Sequence, residues 1–428
     1  MYPNLYYVFK DFFGVKIGLL RFINSFGFFV AIAFLVAAAL LAAELRRKSK
    51  QGLFQPAEVK IRVGEPATIT ELLINFGLGF LFGYKIIALA FLDAEVLKDT
   101  QDYLFSGAGS WPAGLITGGL FAWMKYRDKK KQQLKKPEDR TVRIWPHDRV
   151  GEITILALIV GLIGAKLFDI FENWSGFLKS PAEYIFSGGG LTFYGGLICA
   201  AIAIIWYARK NKFSVNHLAD AIAPSLMIAY AIGRIGCHVS GDGDWGIYNS
   251  AYTIDSTNKV VAAAPGDFEK TVQAFPDYFK MRPNLEQASA PKPGALSFLP
   301  DWIFAYNYPN NVNEEGVKIS GCEDRYCNQL PIPVFPTPLY EIIGCTILFF
   351  ILWALRRKLS PPGAVFALYL ILNGLERFMI EQIRVNKKME FLGLNPTQAE
   401  VIAIGLMLLG AGLWIILYYK SRARTAKL

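Results

Sequence analysis

The sequence predicts an all-α integral membrane protein of about nine transmembrane helices with a small loop-rich extracytoplasmic insertion. Three observations carry that expectation. Of 428 residues, 53% are hydrophobic and only 19% charged. The apolar residues fall in blocks of about 20, the length a helix needs to cross roughly 30 Å of hydrocarbon. Basic residues cluster at the ends of alternate blocks instead of spreading along the chain.

Taken in order, the spans are expected at 17–43, 69–92, 111–126, 151–171, 191–208, 217–237, 337–355, 363–380 and 397–419. The third is the weakest, because Pro112 and several glycines interrupt it. Basic clusters follow spans one (Arg46, Arg47, Lys48, Lys50), three (125–149), five (Arg209, Lys210, Lys212), seven (Arg356, Arg357, Lys358) and nine (Lys420, Arg422, Arg424, Lys427). With nine spans all five fall on one side, and positive charge stays in the cytoplasm. The N-terminus is then outside and the C-terminus inside. The formal charge of +10 is accounted for by contact with an anionic leaflet; nucleic acid is not an expected partner. The first span lacks the short core and cleavage site of a secretory signal and is expected to be retained.

Five segments are expected: 1–55, an N-terminal transmembrane helix; 56–136, one copy of a helical hairpin; 137–246, a second copy and a motif-bearing helix; 247–335, an external cap or arm; and 336–428, three C-terminal helices. The duplication shows on shifting the sequence by 81 residues, which lays Gly83, Lys85, Leu97, Lys98 and Tyr103 on Gly164, Lys166, Leu178, Lys179 and Tyr184. The copies diverge where the second reads GGGLTFYGGLI. Its Gly195 and Gly196 permit close approach of a ligand or of another helix. The arm carries nine prolines and many aromatics, a composition too rich in tryptophan and tyrosine for a disordered tail. Within it Cys322 and Cys327 form either a short-loop disulfide, suited to an oxidising compartment, or two free thiols.

Arg234 lies near the end of an apolar helix that runs into the glycine-rich turn SGDGDWG. A cation at that depth needs an anionic partner, and the natural one is a lipid phosphate. Arg377, Glu381 and Arg384 follow at i, i+4 and i+3 spacing, so one helix face can hold all three. A local ion ladder would also explain that spacing. Tyr194 and the segment FPTPLYE, with Tyr340 and Glu341, lie on the same expected side.

These fragments, in this order, resemble the prolipoprotein diacylglyceryl transferase family, over 150–246 and 335–420 and more weakly over 15–45. GAKLFDIFEN, GGGLTFYGGL, AIGRIGCHVSGDGDWG, FPTPLYE and GLERFMIEQIR carry the likeness. The resemblance implies an inner-membrane enzyme that moves the diacylglyceryl group of phosphatidylglycerol to the lipobox cysteine thiol of a prolipoprotein. It also implies that Arg234 and Arg377 face the phosphate, with Lys166, Gly195, Gly196, Asp242, Glu381 and Arg384 as further lipid contacts. Guanidinium forks suit phosphate oxygens. Asp242 is the first choice for the family's acidic residue and Asp244 the second.

Three departures bear on the chemistry. Tyr194 stands where many members have histidine, and a phenol with a pKa near 10 is a poor base at neutral pH. His238, four residues after Arg234, is the alternative proton acceptor. Cys237 and Phe26 replace an asparagine and a tyrosine of the family. Lys85 and Lys166, within apolar spans, need partners. No cofactor or metal site is expected, since the histidines are scattered and the cysteines lack zinc-ligand spacing. The chain is expected to act as a monomer among membrane lipids; a catalytically inactive lipid-binding homologue and a transporter or receptor are the competing readings.

Overall fold

The computed structural model describes all residues except 91–102, 104–105, 187–189, 191, 283–284, 387, 390–394 and 426–428. Several expected repeat positions, including Leu97, Lys98 and Ser187, lie outside the described residues. The main elements are α1 (Leu5–Phe13), α2 (Ser25–Lys50), β1 (Ala57–Val63), α3 (Ile69–Leu81, continued by a π turn at Phe82–Ile86), α4 (Trp111–Gln132), β2 (Glu138–Ile144), α5 (Val150–Glu172), α6 (Phe193–Lys210), α7 (Val215–Ser240), α8 (Thr337–Leu355), α9 (Ala364–Glu381) and α10 (Gln398–Thr425). Among the described residues six helices are long and apolar enough to cross a membrane: Ser25–Lys50, Ile69–Leu89, Pro146–Glu172, Val215–Ser240, Thr337–Leu355 and Gln398–Arg422. The other three expected spans coincide with α4, α6 and α9, which are helical but not among these six; α4 ends in a run of lysines and α9 includes Glu376, Arg377 and Glu381.

Two compact units result: Met1–Lys16 with Ile23–Leu41 and Asn216–Leu428, and Ile17–Phe22 with Ala42–Val215. The division falls at Val215, so α7 groups with the C-terminal helices and not with the second hairpin.

In the first unit, Ala223, Met227 and Ala231 of α7 pack on Cys345, Phe349 and Leu352 of α8 and Val365 of α9. The starts of α7 and α9 are pinned together by Asp220, whose buried carboxylate accepts from Gly363 N (2.8 Å) and Phe366 N (3.1 Å). It thereby satisfies amides that the first turn of α9 leaves without helical partners. Arg234 and Arg377 each lie fourteen residues beyond that pin. At 1.5 Å per residue both arrive about 21 Å further along. The arm has its own core, with Tyr308 and Leu330 fully buried among Trp245, Tyr248, Phe279, Ile332 and Val334. Short two-stranded pairings fill the rest, and Cys322 is disulfide-bonded to Cys327. Lys10 of α1 pairs with Asp324 inside that loop at 2.6 Å.

In the second unit the duplication is structural. A shift of 81 residues carries β1 onto β2 and the start of α3 onto that of α5. The strands pair antiparallel with Lys60 opposite Thr141, positions that are themselves equivalent. A local twofold axis therefore passes between them. Equivalent acidic and basic positions face one another across it, Glu58 opposite Arg143 and Arg62 opposite Asp139. Each hairpin is closed by glycines: a Cβ on Gly83 would lie 2.4 Å from Ala113 O, and one on Gly164 2.7 Å from Gly195 O. Lys85 donates to the carbonyls of Tyr103, Ser106 and Ala108 at 2.9, 2.6 and 2.8 Å, a structural role.

Gly195 and Gly196 take the packing alternative: a Cβ on Gly195 would meet Gly164 O at 2.7 Å, and one on Gly196 would meet Gly161 O at 2.9 Å. Both glycines are therefore needed for helix contact, whatever else they touch. Gly195→Leu should lower stability by about 1–3 kcal/mol through overpacking, read by thermal unfolding in detergent. Gly151→Ala, where the added methyl meets open space, should leave the transition unchanged or slightly raised.

Candidate active site

Four segments of the first unit bring charge together: the end of α7, the turn after it, the first turns of α8 and the end of α9. Gly241 (φ +64°) and Gly243 (φ +95°) give the turn a left-handed backbone that other residues adopt at a cost. Gly246 then passes so close to Ile383 that a Cβ would lie 2.4 Å from its carbonyl oxygen. Backbone bonds from Gly246 N to Phe335 O (2.9 Å) and Ile247 N to Ile383 O (2.9 Å) lock the turn to the entry of α8 and the exit of α9. Thr337 Oγ1 donates to Asp244 O at 2.6 Å.

Glu341 is the centre. Its side chain is 0% exposed, with Oε2 3.0 Å from Arg234 Nε and Oε1 3.5 Å from Arg377 Nη1. Tyr230 OH donates to Oε1 at 2.7 Å and accepts from Arg234 Nη2 at 3.1 Å. A carboxylate in the first turns of α8 is favoured by the helix dipole, and two guanidiniums compensate its burial. Around this core, Asp244 binds both Arg234 and Arg384, and Glu381 binds Arg377 at 2.7 Å and Asn386 at 2.6 Å. Three arginines thus meet three carboxylates.

The expected convergence of Arg234 and Arg377 holds geometrically, and Glu381 and Arg384 join them as the i, i+4 and i+3 spacing suggested. Asp244, the second choice from sequence, takes the ion-pair position. Asp242 instead accepts from Asp244 N at 3.3 Å. Burial and the neighbouring Asp244 push the Asp242 carboxyl up. Burial also raises Asp244, but Arg234 and Arg384 outweigh it and hold its carboxyl below the usual value. Cys237 Sγ lies 3.7 Å from Arg234 Nη1, and ligand-type atoms of Cys237, Asp242 and Asp244 lie within 4.8 Å of one another. Because guanidiniums already bind Asp244, that group is poorly suited to a cation.

His238 is drawn elsewhere. Its Nδ1 is 3.3 Å from Tyr308 OH, and its ring contacts those of Tyr306 and Tyr308, all in the arm. The backbone of Phe26 packs on Gly236, whose Cβ would lie 3.0 Å from Phe26 Cα. Tyr194 and Lys166 belong to the second unit. Tyr194 is the second residue of α6, preceded by Thr192, which bonds Ala165 O through N (3.1 Å) and Glu172 through Oγ1 (3.0 Å). Lys166 Nζ reaches Gly190 O at 3.5 Å. Glu341 and Tyr230 were not among the expected site residues. A carboxylate inside an apolar span and a tyrosine at i−4 from Arg234 were the available signals.

The sequence profile of the family described as prolipoprotein diacylglyceryl transferase matches residues 111–416. A phosphatidylglycerol–prolipoprotein diacylglyceryl transferase of Leptospira interrogans is 27% identical over 260 residues, covering 55% of this chain and 61% of the relative. The chain thus spans about three fifths of that protein. Relatives of the same description from Dehalococcoides mccartyi and Clostridium novyi are 26% and 27% identical, covering 64% and 65% of this chain and 80% and 81% of theirs.

Glu341→Gln should cost about 3–5 kcal/mol, the range for breaking a buried ion pair and leaving its partners uncompensated, measured by chemical unfolding. Asp244 has a depressed folded pKa, so its contribution is complete above the ordinary carboxylate pKa of about 3.9 and is lost as pH falls through the lower folded value. The difference in Tm between wild type and Asp244→Asn should therefore be constant near neutrality and vanish in acid.

Proposed function

The chain belongs to the prolipoprotein diacylglyceryl transferase family, and on that footing we propose that it transfers the diacylglyceryl group of phosphatidylglycerol to the lipobox cysteine thiol of prolipoproteins. The observation that carries this reading is the placement of Arg234 and Arg377 on the two oxygens of one buried carboxylate. Two guanidiniums fixed side by side form a ready-made holder for a phosphate.

In the reaction the thiolate sulfur attacks the glyceryl carbon, the carbon–oxygen bond to phosphorus breaks, and glycerol phosphate leaves. The thiol proton passes to a base or to solvent. Charge grows on the departing phosphate, and Arg234 and Arg377 stabilise it where it develops. Asp244, the more exposed of the paired carboxylates, yields guanidinium donors of Arg234 and Arg384 to phosphate oxygens as lipid enters. Nearby positive charge also lowers a thiol's pKa toward neutrality. Glu381 keeps Arg377 oriented; Lys166 serves the headgroup, and Asp242 supports the turn. For the base, Tyr194 and His238 remain the two assignments.

The charge map supports nine crossings of the inner membrane, with the N-terminus and arm periplasmic and the C-terminus cytoplasmic. The Cys322–Cys327 disulfide favours the same side for the arm, since such bonds persist in oxidising compartments. The arginine cluster is assembled from one chain, which supports action as a monomer. The arm, with its exposed aromatic segments, serves to guide the prolipoprotein.

Purified protein, phosphatidylglycerol and a lipobox peptide should yield a diacylglyceryl thioether by mass analysis. Arg234→Gln and Arg377→Gln should each lower turnover by roughly 10²–10³-fold, the scale for losing a donor to developing charge. Binding of phospholipid without product would replace this reading with an inactive homologue, and flux across vesicles without product would indicate transport. Tyr194→Phe and His238→Gln separate the two bases: the one that removes activity while the other retains it names the proton acceptor.

A further inference from the structure

The two hairpins serve as each other's control at their basic ends. In the first, Thr68 caps α3 in a reciprocal box with Glu71, and Glu71 pairs with Lys129 at 2.9 Å. The hairpin mouth is thereby satisfied from within. Adding 81 turns Thr68 into Arg149, Glu71 into Glu152, Lys125 into Trp206, Tyr126 into Tyr207 and Lys129 into Lys210. The second copy keeps the acid, the tyrosine and the lysine but connects them differently. Glu152 accepts from Tyr207 OH, and Lys210 lies over the Trp206 ring, 4.9 Å from its centroid. Among the described residues Lys210 makes no ion pair.

Arg149 has no counterpart in the first copy. It bonds Asn211 and Tyr207 through Nη1 and stands 3.8 Å from Glu152, while its buried Nε has no hydrogen-bond partner. A cation at the N-terminus of α5 also opposes the helix dipole. An anion in the groove would meet the remaining guanidinium donors of Arg149 and the ammonium of Lys210 together. Beside these groups a groove of about 580 Å³ opens between α5 and α6, walled by Ile155, Ile159 and Trp206. In the first hairpin the position of Trp206 is taken by Lys125 and that of Ile155 by Ile74, so the aromatic wall of the groove is particular to the second copy.

We propose that this groove binds one anionic phospholipid, its phosphate on Arg149 and Lys210 and one acyl chain along Ile155, Ile159 and Trp206. Loss of the internal Glu–Lys pair, gain of an arginine and replacement of Lys125 by Trp206 at the wall all change in the direction such a ligand requires. The apolar walls select a lipid over free phosphate. The occupant is distinct from the donor lipid of the transfer reaction and sits on residues of the second unit alone.

The test measures binding of dioleoyl phosphatidic acid, dioleoyl phosphatidylcholine and inorganic phosphate to the full chain in detergent, by native mass spectrometry. Wild type should retain one phosphatidic acid in preference to phosphatidylcholine. Arg377→Gln, which disturbs the arginine cluster, should retain it equally. Lys210→Gln and Arg149→Gln should each weaken it by about tenfold or more, the scale of a charge-assisted hydrogen bond. Lys129→Gln, the matching change in the first hairpin, should have no effect. Lys210 is exposed, so its variant keeps the fold even if loss of Arg149 does not. Unchanged retention in Lys210→Gln overturns the proposal, as does inorganic phosphate displacing the lipid at equal concentration.

Discussion

One buried carboxylate governs the arginine cluster. Glu341 enters from the start of α8 into a space where water is excluded, and its charge is tolerated because guanidiniums from α7 and α9 meet both oxygens. Removing any member of such a group leaves the others costly, so three helices are bound to one arrangement of their ends. The Asp220 cap at the opposite ends fixes two of them, α7 and α9, in register. Between these two polar contacts the packing is mainly apolar, Ala223, Met227 and Ala231 meeting Phe349, Leu352 and Val365, with the buried carboxylate of Glu376 beside Cys345.

The turn between α7 and the arm converts this geometry into a site. Its glycines let the chain double back so that Asp244 reaches two arginines at once, while Asp242, two residues earlier, is held in the turn by its own backbone contact. The arm then packs its aromatic core on His238 and the turn, so it shares in positioning the charges at the end of α7. The arginines have carboxylates as partners before any lipid arrives. Their orientation is thus set in advance, and a phosphate bound as in the proposed function competes with the partly exposed carboxylate of Asp244 rather than ordering flexible side chains.

Much of this was legible in the sequence because charge in an apolar helix demands an explanation. Arg234, Arg377, Glu381 and Arg384 stood out for that reason. Glu341 did not, since a carboxylate in the first turns of a helix is ordinary until its tertiary partners are known. Asp242 and Asp244 could not be ranked from composition, because backbone dihedrals of the turn decide which one points at the arginines. Gly195 and Gly196 read as ligand or helix contacts, with helix packing favoured, and they do lie against Gly164 O and Gly161 O of the neighbouring helix. Each expected span overlaps a helix, but the first of these runs Ser25–Lys50 rather than 17–43, and the β1–β2 ribbon was missed although AEVKIRV and EDRTVRI alternate with a period of two. Both lie between expected spans, where only the helical hairpins were sought.

That ribbon has an evolutionary consequence. Each strand carries an acid and, four residues on, an arginine, and the antiparallel register sets the acid of either copy against the arginine of the other. A strand with this spacing is complementary to itself. Before the duplication, the ancestral hairpin could therefore have met the same hairpin in a second molecule through an isologous contact, and fusion of the genes would have turned an association dependent on concentration into a permanent one. Freed from matching its twin, one half could then lose residues that the other still needs, and the asymmetry of the present hairpins follows.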